Sequence, residues 1–189
     1  VEDGIVIVRE GKITAIGRAA DIAEGEWVAQ TLDVPVLLKE VGSGISQRTA
    51  AKIADLPVDG VETAGTGGTS WAKVESFRGD PDSKQAAVGR RLAGFGVRTA
   101  DSILHCRRAM GDRVVIGSGG VRTGMDIAVA IALGADAAAL AAPLLEAAMR
   151  GEDETVQVLE ALIYELKVIC FCTGARTALD LRGVRLLEA

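Results

Sequence analysis

The residues best equipped for chemistry lie in one stretch, Val115-Ile116-Gly117-Ser118-Gly119-Gly120-Val121-Arg122-Thr123-Gly124-Met125-Asp126. Gly119 and Gly120 allow a sharp turn and a close backbone approach to a ligand. Arg122 adds a planar cationic fork that can hold phosphate oxygens in pairs. Backbone N–H groups at such a turn, backed by the dipole of a following helix, favour an anion. The stretch therefore suits a phosphate cradle. It also suits an ordinary strand-to-helix turn with a surface arginine, because glycine-rich turns of both kinds are common. Two further segments carry polar groups just after apolar runs: Lys39-Glu40-Val41-Gly42, and Gly65-Thr66-Gly67-Gly68-Thr69-Ser70-Trp71.

The elements that must position these groups can be read around them. Val114 to Ile116 is an apolar β-branched strand, Asp126 to Leu133 a helix, and Gly134 is placed to end it. Strands fall near 35–39, 58–64, 114–118 and 137–141. Helices are expected at Gln47 to Asp55 behind a Ser46 cap, from Trp71 to Glu75, at Ala86 to Ala93, Thr99 to Met110, Leu144 to Arg150 and Glu154 to Thr173, with a last turn at Thr177 to Leu181. In the long helix Val156, Leu159, Leu162, Ile163 and Leu166 share helical spacing, and Gly174 closes it. Residues 76 to 85 read as a loop. Short strands alternating with helices predict an α/β fold with a parallel sheet. The polar segments sit at the C-terminal ends of the strands, where such folds build their sites. Four such ends converging suggest one wall of a barrel holding a phosphorylated ligand.

Residues 1–33 differ from the rest. Gly4 to Val8 and Ile13 to Gly17 predict a β-hairpin around Arg9-Glu10-Gly11-Lys12, and residues 23 to 33 read as a linker or short helix. The domain organisation is thus a hairpin and linker over 1–33, then a βα region over 34–189. The first residue is Val1 rather than Met, which reads as a fragment or a processed product.

Composition narrows the function. The chain has 189 residues, 49% hydrophobic, 25% charged and a net charge of −5, the balance of a soluble globular domain without a nucleic-acid footprint. No apolar run reaches the roughly 18 residues that span a membrane, and no signal peptide is visible, so a cytoplasmic location is expected. Cys106, Cys170 and Cys172 form no CxxC pair, and buried packing is favoured over a metal site. The single histidine, His105, follows Ser102-Ile103-Leu104 in a helix and suits a structural or surface role.

At the Lys39, Gly65 to Trp71 and Ser118 to Gly124 segments the chain resembles the type 2, FMN-dependent isopentenyl-diphosphate isomerases. The likeness continues through Asp126, Ala132-Leu133-Gly134-Ala135, Pro143-Leu144 and Thr173-Gly174-Ala175-Arg176, and covers about residues 34 to 182. Other FMN barrels, such as the 2-hydroxy-acid oxidases, share the Gly-Gly-x-Arg turn and the Ala-Leu-Gly-Ala helix end, but not the other two segments. Residues 1–22 also resemble the opening hairpin of amidohydrolase-type enzymes, without their metal ligands.

The resemblance implies a TIM barrel with FMN at the C-terminal ends of its strands, interconverting isopentenyl and dimethylallyl diphosphate with reduced FMN, NADPH as reductant and Mg²⁺. It implies that Lys39 contacts the flavin ring. Ala64 stands where the family has Ser or Ala, and Thr69 bonds the flavin side chain or phosphate. Gly120, Val121 and Arg122 hold the phosphate, and Ala141 and Ala142 complete the pocket. A homo-oligomer is implied as well. A whole (β/α)₈ barrel takes about 250 residues, and only its last four βα units are visible. The family's diphosphate-binding residues and its Gln-Glu pair for substrate and Mg²⁺ have no counterpart in residues 1 to 33, so no metal ligand is named in this chain. The competing expectations are a non-catalytic flavin- or phosphate-binding half barrel, another FMN-barrel oxidoreductase, for which His105 is in the wrong context as the base, and an amidohydrolase, which one histidine cannot supply with metal ligands.

Overall fold

The structure, a computed structural model, describes residues 4–9, 12–18, 32 and 34–187. Strands β1 (Gly4–Arg9) and β2 (Lys12–Arg18) pair antiparallel as the predicted hairpin, Gly4 opposite Arg18 and Arg9 opposite Lys12. Its turn, and all of the 23–33 linker except Leu32, lie outside the described residues.

The rest alternates strand and helix. In order come β3 (Leu37–Lys39), α1 (Gln47–Ala54), β4 (Gly60–Glu62), α2 (Trp71–Glu75), α3 (Lys84–Arg91), α4 (Thr99–Met110) and β5 (Val114–Ser118). Then follow α5 (Gly124–Ala132), β6 (Ala137–Ala139), α6 (Ala142–Arg150), α7 (Glu152–Thr173) and a 3₁₀ turn over Ala178–Gly183. The four strands after the hairpin form one parallel sheet in the order β3-β4-β5-β6. This is the expected set of four βα units, the (β/α) barrel pattern with four of its eight strands.

Register decides which side chains share a face. Leu38, Val61 and Val115 stand in one row and point to the helices. There they join Ile45, Ile53, Val58, Cys106 and Met110 in the main core. The rows on either side face the opposite way, into what is the interior of a closed barrel. One is Leu37, Gly60 and Val114; the other is Lys39, Glu62, Ile116 and Ala137. A second core cluster, Ala128, Ile131 and Leu181, binds α5 to the 3₁₀ turn, with Leu166 and Ile169 of α7 packed on it.

Three expectations need correcting. Helix α5 begins at Gly124 rather than Asp126, because Thr123 and Asp126 form a reciprocal capping box that starts it earlier. The apolar stripe of α7 is not a buried stripe. Leu162 is buried and Leu166 packs on the second cluster, while Val156, Leu159 and Ile163 are exposed, since among the described residues α7 packs mainly on α5, α6 and the 3₁₀ turn. Of the cysteines only Cys106 is buried; Cys170 is half-buried and Cys172 exposed. Two residues on a helix are about 200° apart, so Cys172 points away from the face that packs.

Candidate functional site

The loops that leave β3, β4 and β5 lock into one another. After β3, the Glu40 carboxylate turns back on its own backbone. Its Oε2 accepts the N–H groups of Gly42, Ser43 and Gly44 at 2.6, 2.7 and 2.9 Å. Trp71 closes the outside of this loop, donating its indole N–H to the Val41 carbonyl at 2.8 Å. After β4, Thr63 and Ser118 cross-link the strand ends. The Ser118 N–H donates to Thr63 Oγ1 at 3.1 Å, and the Ala64 N–H donates to Ser118 Oγ at 3.0 Å. Ala64 has φ +35°, the one non-glycine residue with positive φ among those described, a strained backbone held by this network.

The glycine pairs exist because backbone meets backbone here. Gly119 has φ +107°, and a Cβ on it would stand 2.2 Å from the Gly65 carbonyl oxygen. Gly120 has φ +84°, and a Cβ there would stand 2.3 Å from the Gly67 oxygen. Thr99 anchors the turn from α4, its hydroxyl donating to the Gly119 carbonyl at 2.6 Å. Arg122 bridges the two loops, donating to the carbonyls of Gly120 at 2.6 Å and Gly67 at 2.8 Å.

This arrangement relocates the anion donors. The start of α5 has little to offer a ligand. The Thr123 N–H donates to Asp126, the Gly124 N–H to Glu165 Oε2 at 2.6 Å, and the Asp126 N–H to the Thr123 hydroxyl. Among the described residues, the N–H groups of Gly119, Gly120 and Val121 have no acceptor. The free donors are therefore those of the glycine turn itself, beside an exposed guanidinium, together with the Met125 N–H in the first turn of α5, which likewise has no acceptor among the described residues. Burial, the largest influence on Asp126, pushes its pKa up. The Arg122 amide, the hydroxyl and amide of Thr123 and the Arg122 charge together pull it below the ordinary value. Asp126 is thus an ionised brace under the turn.

The remaining predicted residues fall along the same rim. Lys39 ends β3 and is exposed, Thr69 is exposed on the loop after β4, and Ala141 and Ala142 are exposed where β6 passes into α6. Val121 is buried. The rim is not a point: at about 4.8 Å per strand, Lys39 and Ala141 lie roughly 14 Å apart. His105 is half-buried in α4 with Nδ1 3.2 Å from the Ile45 carbonyl, a structural position. Sequence reasoning missed Glu62, which pairs with Lys39. Cross-strand register brings them together, and twenty-three positions of sequence separate them. Glu40's inward turn was missed too, although an acidic residue just before Val-Gly in a loop is a signal for capping free amides.

The profile of the FMN-dependent dehydrogenase family matches residues 10–186. The chain belongs to the FMN-dependent dehydrogenase family. Within that family it is 44% identical over 163 residues to the isopentenyl-diphosphate delta-isomerase of Stutzerimonas stutzeri (strain A1501), covering 86% of this chain and 47% of that protein. It is 46% identical over 143 residues to the isomerase of the same name from Nostoc sp. (strain PCC 7120), covering 76% of this chain and 41% of that protein. Among solved structures it superposes on mandelate oxidase with (S)-4-hydroxymandelic acid at a TM-score of 0.63 and 22% identity, over 88% of this chain and 41% of the oxidase. A second mandelate oxidase complex, with 3,3-difluoro-2-hydroxy-3-phenylpropionic acid, gives 0.64 and 21%, over 95% and 47%. These structural likenesses establish the barrel fold. The chain spans about half the length of the curated relatives it matches.

Proposed function

We propose that this chain is the FMN-binding half of a type 2 isopentenyl-diphosphate isomerase, which interconverts isopentenyl and dimethylallyl diphosphate. The observation that carries the proposal is the Gly119–Arg122 turn. Three unengaged amides beside an arginine, with no side chain able to intrude at either glycine, suit a phosphate monoester. Identity above 40% to isomerases of that name supports the substrate class.

In this reading each rim residue has one task. The Gly120 and Val121 amides and Arg122 bind the FMN phosphate. Thr69 bonds the ribityl chain or phosphate. Ala64, Ala141 and Ala142 keep the walls low enough for the cofactor to lie against the backbone. Lys39, on the inward-facing row, presents its ammonium to the flavin ring, where positive charge favours the electron-rich reduced form. When bound, reduced flavin supplies the acid–base chemistry at the alkene. The protein's part is to hold and desolvate. Mg²⁺ and the diphosphate are not assigned ligands in this chain, NADPH is the proposed reductant, and a cytoplasmic homo-oligomer completes the proposal.

The test is an FMN titration of the 189-residue chain followed by flavin absorbance, with Arg122→Ala alongside. Loss of charge-assisted bonds worth about 1.5–3 kcal/mol predicts roughly 10- to 100-fold weaker binding. A folded wild-type chain that leaves the flavin spectrum unchanged overturns the reading. The alternative reading is a flavin-binding half barrel without turnover. An isomerisation assay with reduced FMN, Mg²⁺ and isopentenyl diphosphate separates the two.

A further inference from the structure

We infer that Glu62 is the positioning residue for Lys39: its carboxylate holds the lysine ammonium at the inner rim of the sheet and so sets the preference of this site for reduced over oxidised flavin. This rests on the FMN reading above and adds a residue to it.

The placement follows from register. Lys39 and Glu62 are direct partners across β3 and β4, and partners in a parallel ladder point to the same face. Their row continues through Ile116 and Ala137, so the pair belongs to the inward face and not to the helix-covered side. The two side chains form an ion pair. They are unequally anchored: the Lys39 side chain is 55% exposed, the Glu62 side chain 18%. Glu62 is the more enclosed member and Lys39 the more exposed one.

A second carboxylate stands next to Lys39 in sequence, but it is not available. Glu40 is committed to the amides of Gly42, Ser43 and Gly44. Without Glu62 the lysine stem, with four rotatable bonds, is free to extend into water, and its charge leaves the rim. A surface ion pair of this exposure contributes little to stability. Its effect lies in where it keeps the charge.

The experiment compares wild type, Glu62→Gln, Glu62→Asp, Lys39→Met and the double variant Lys39→Met with Glu62→Gln. In the flavin-free chain, acylation of the Lys39 amine is followed by mass spectrometry. Release from the carboxylate predicts about three- to fivefold faster labelling in Glu62→Gln and a near-wild-type rate in Glu62→Asp. With FMN, the readout is the ratio of affinities for the reduced and oxidised forms. Lys39→Met lowers that ratio about tenfold, the effect of one charge at the ring. Loss of the Glu62 charge by itself favours the reduced form, and Glu62→Gln in the Lys39→Met background measures that direct effect; relative to it, Glu62→Gln in the chain that keeps Lys39 lowers the ratio, by a smaller factor than Lys39→Met does.

The inference is overturned if Glu62→Gln leaves Lys39 labelling unchanged, or if it shifts the ratio equally with and without Lys39. If the wild-type chain binds no FMN while Glu62→Gln still speeds the labelling, the flavin reading fails and the positioning of Lys39 by Glu62 stands.

Discussion

Replacing Gly119 by alanine tests the interlock of the two glycine loops. Two separate costs meet at this residue. Its φ of +107° is unfavourable for any residue with a Cβ, worth about 1–3 kcal/mol. The new Cβ would also sit 2.2 Å from the Gly65 oxygen and 2.4 Å from the Gly65 nitrogen. Neither is a flexible side-chain end, so one loop must shift, at about 1–3 kcal/mol for overpacking. The sum, about 2–6 kcal/mol, is a large part of the 5–15 kcal/mol that stabilises a typical domain. Two controls isolate the terms. Gly174→Ala keeps a positive φ, +75°, with no atom within 4 Å, and should lose about 1 kcal/mol. Gly94→Ala has open space and no positive φ, and should stay within about 0.5 kcal/mol of wild type. Urea denaturation of the three variants gives the order. If Gly119→Ala loses no more than Gly174→Ala, the loops are not locked and the account of the turn is wrong.

Three further outcomes follow from the same structure. Glu40→Gln removes the charge that three amides share, and should cost about 1–2 kcal/mol in urea denaturation. Burial pushes the Cys106 thiol up to about 11, against the opposing charge of Arg107; a disulfide reagent at pH 8 should therefore modify exposed Cys172 rapidly and Cys106 only on unfolding. Asp136 accepts the Val115 N–H at 2.8 Å and pairs with Arg107 and Arg182. Burial, the largest influence, raises its pKa, but the Val115 amide and the two arginines together lower it below the ordinary 3.8. A carboxylate with a depressed folded pKa stabilises above its unfolded value and loses that contribution as pH falls through the folded one. Thermal melts should thus weaken below about pH 4, and Asp136→Asn should flatten that acid limb.

Strands, helix order and the glycine turn were legible because each has a local cause. The apolar runs at 36–38 and 114–116 lie between turn residues, Ser46 precedes a helix, and Gly119-Gly120 admits few alternatives. What could not be read depends on register or on distant partners. Nothing near Glu62 in sequence says that Lys39 faces it; that requires Leu38 to pair with Val61 rather than with a neighbour of Val61. Thr99 and Glu165 hold the Gly119–Gly124 turn from two other helices, and no spacing rule reaches them. The Thr123-x-x-Asp126 capping box was open to local reading and moves the start of α5 by two residues. It also engages the Thr123 and Asp126 amides, and Glu165 takes that of Gly124, so the free amides of the turn, with that of Met125, become the ones to test.

The two ends of the proposed site differ in how much of their support this chain contains. The phosphate end is held by residues of this chain: Thr99, Asp126, Thr63 and Ser118 brace the turn, and the loops after β4 and β5 close on each other. The ring end lies over the inward face, where Leu37 is 44% and Val114 40% exposed. Those side chains occupy positions that fill the interior of a closed barrel. Phosphate recognition is a matter of donors already fixed in place, whereas desolvation of the ring and selectivity between flavin oxidation states need that inward face covered. Binding measurements on this chain should therefore show a strong dependence on Arg122 and a weaker one on Lys39. Covering the inward face should raise the Lys39 dependence and leave that of Arg122 unchanged. Equal dependence on both residues in the uncovered chain would mean that the ring is already enclosed, and that the inward face contributes nothing to the site.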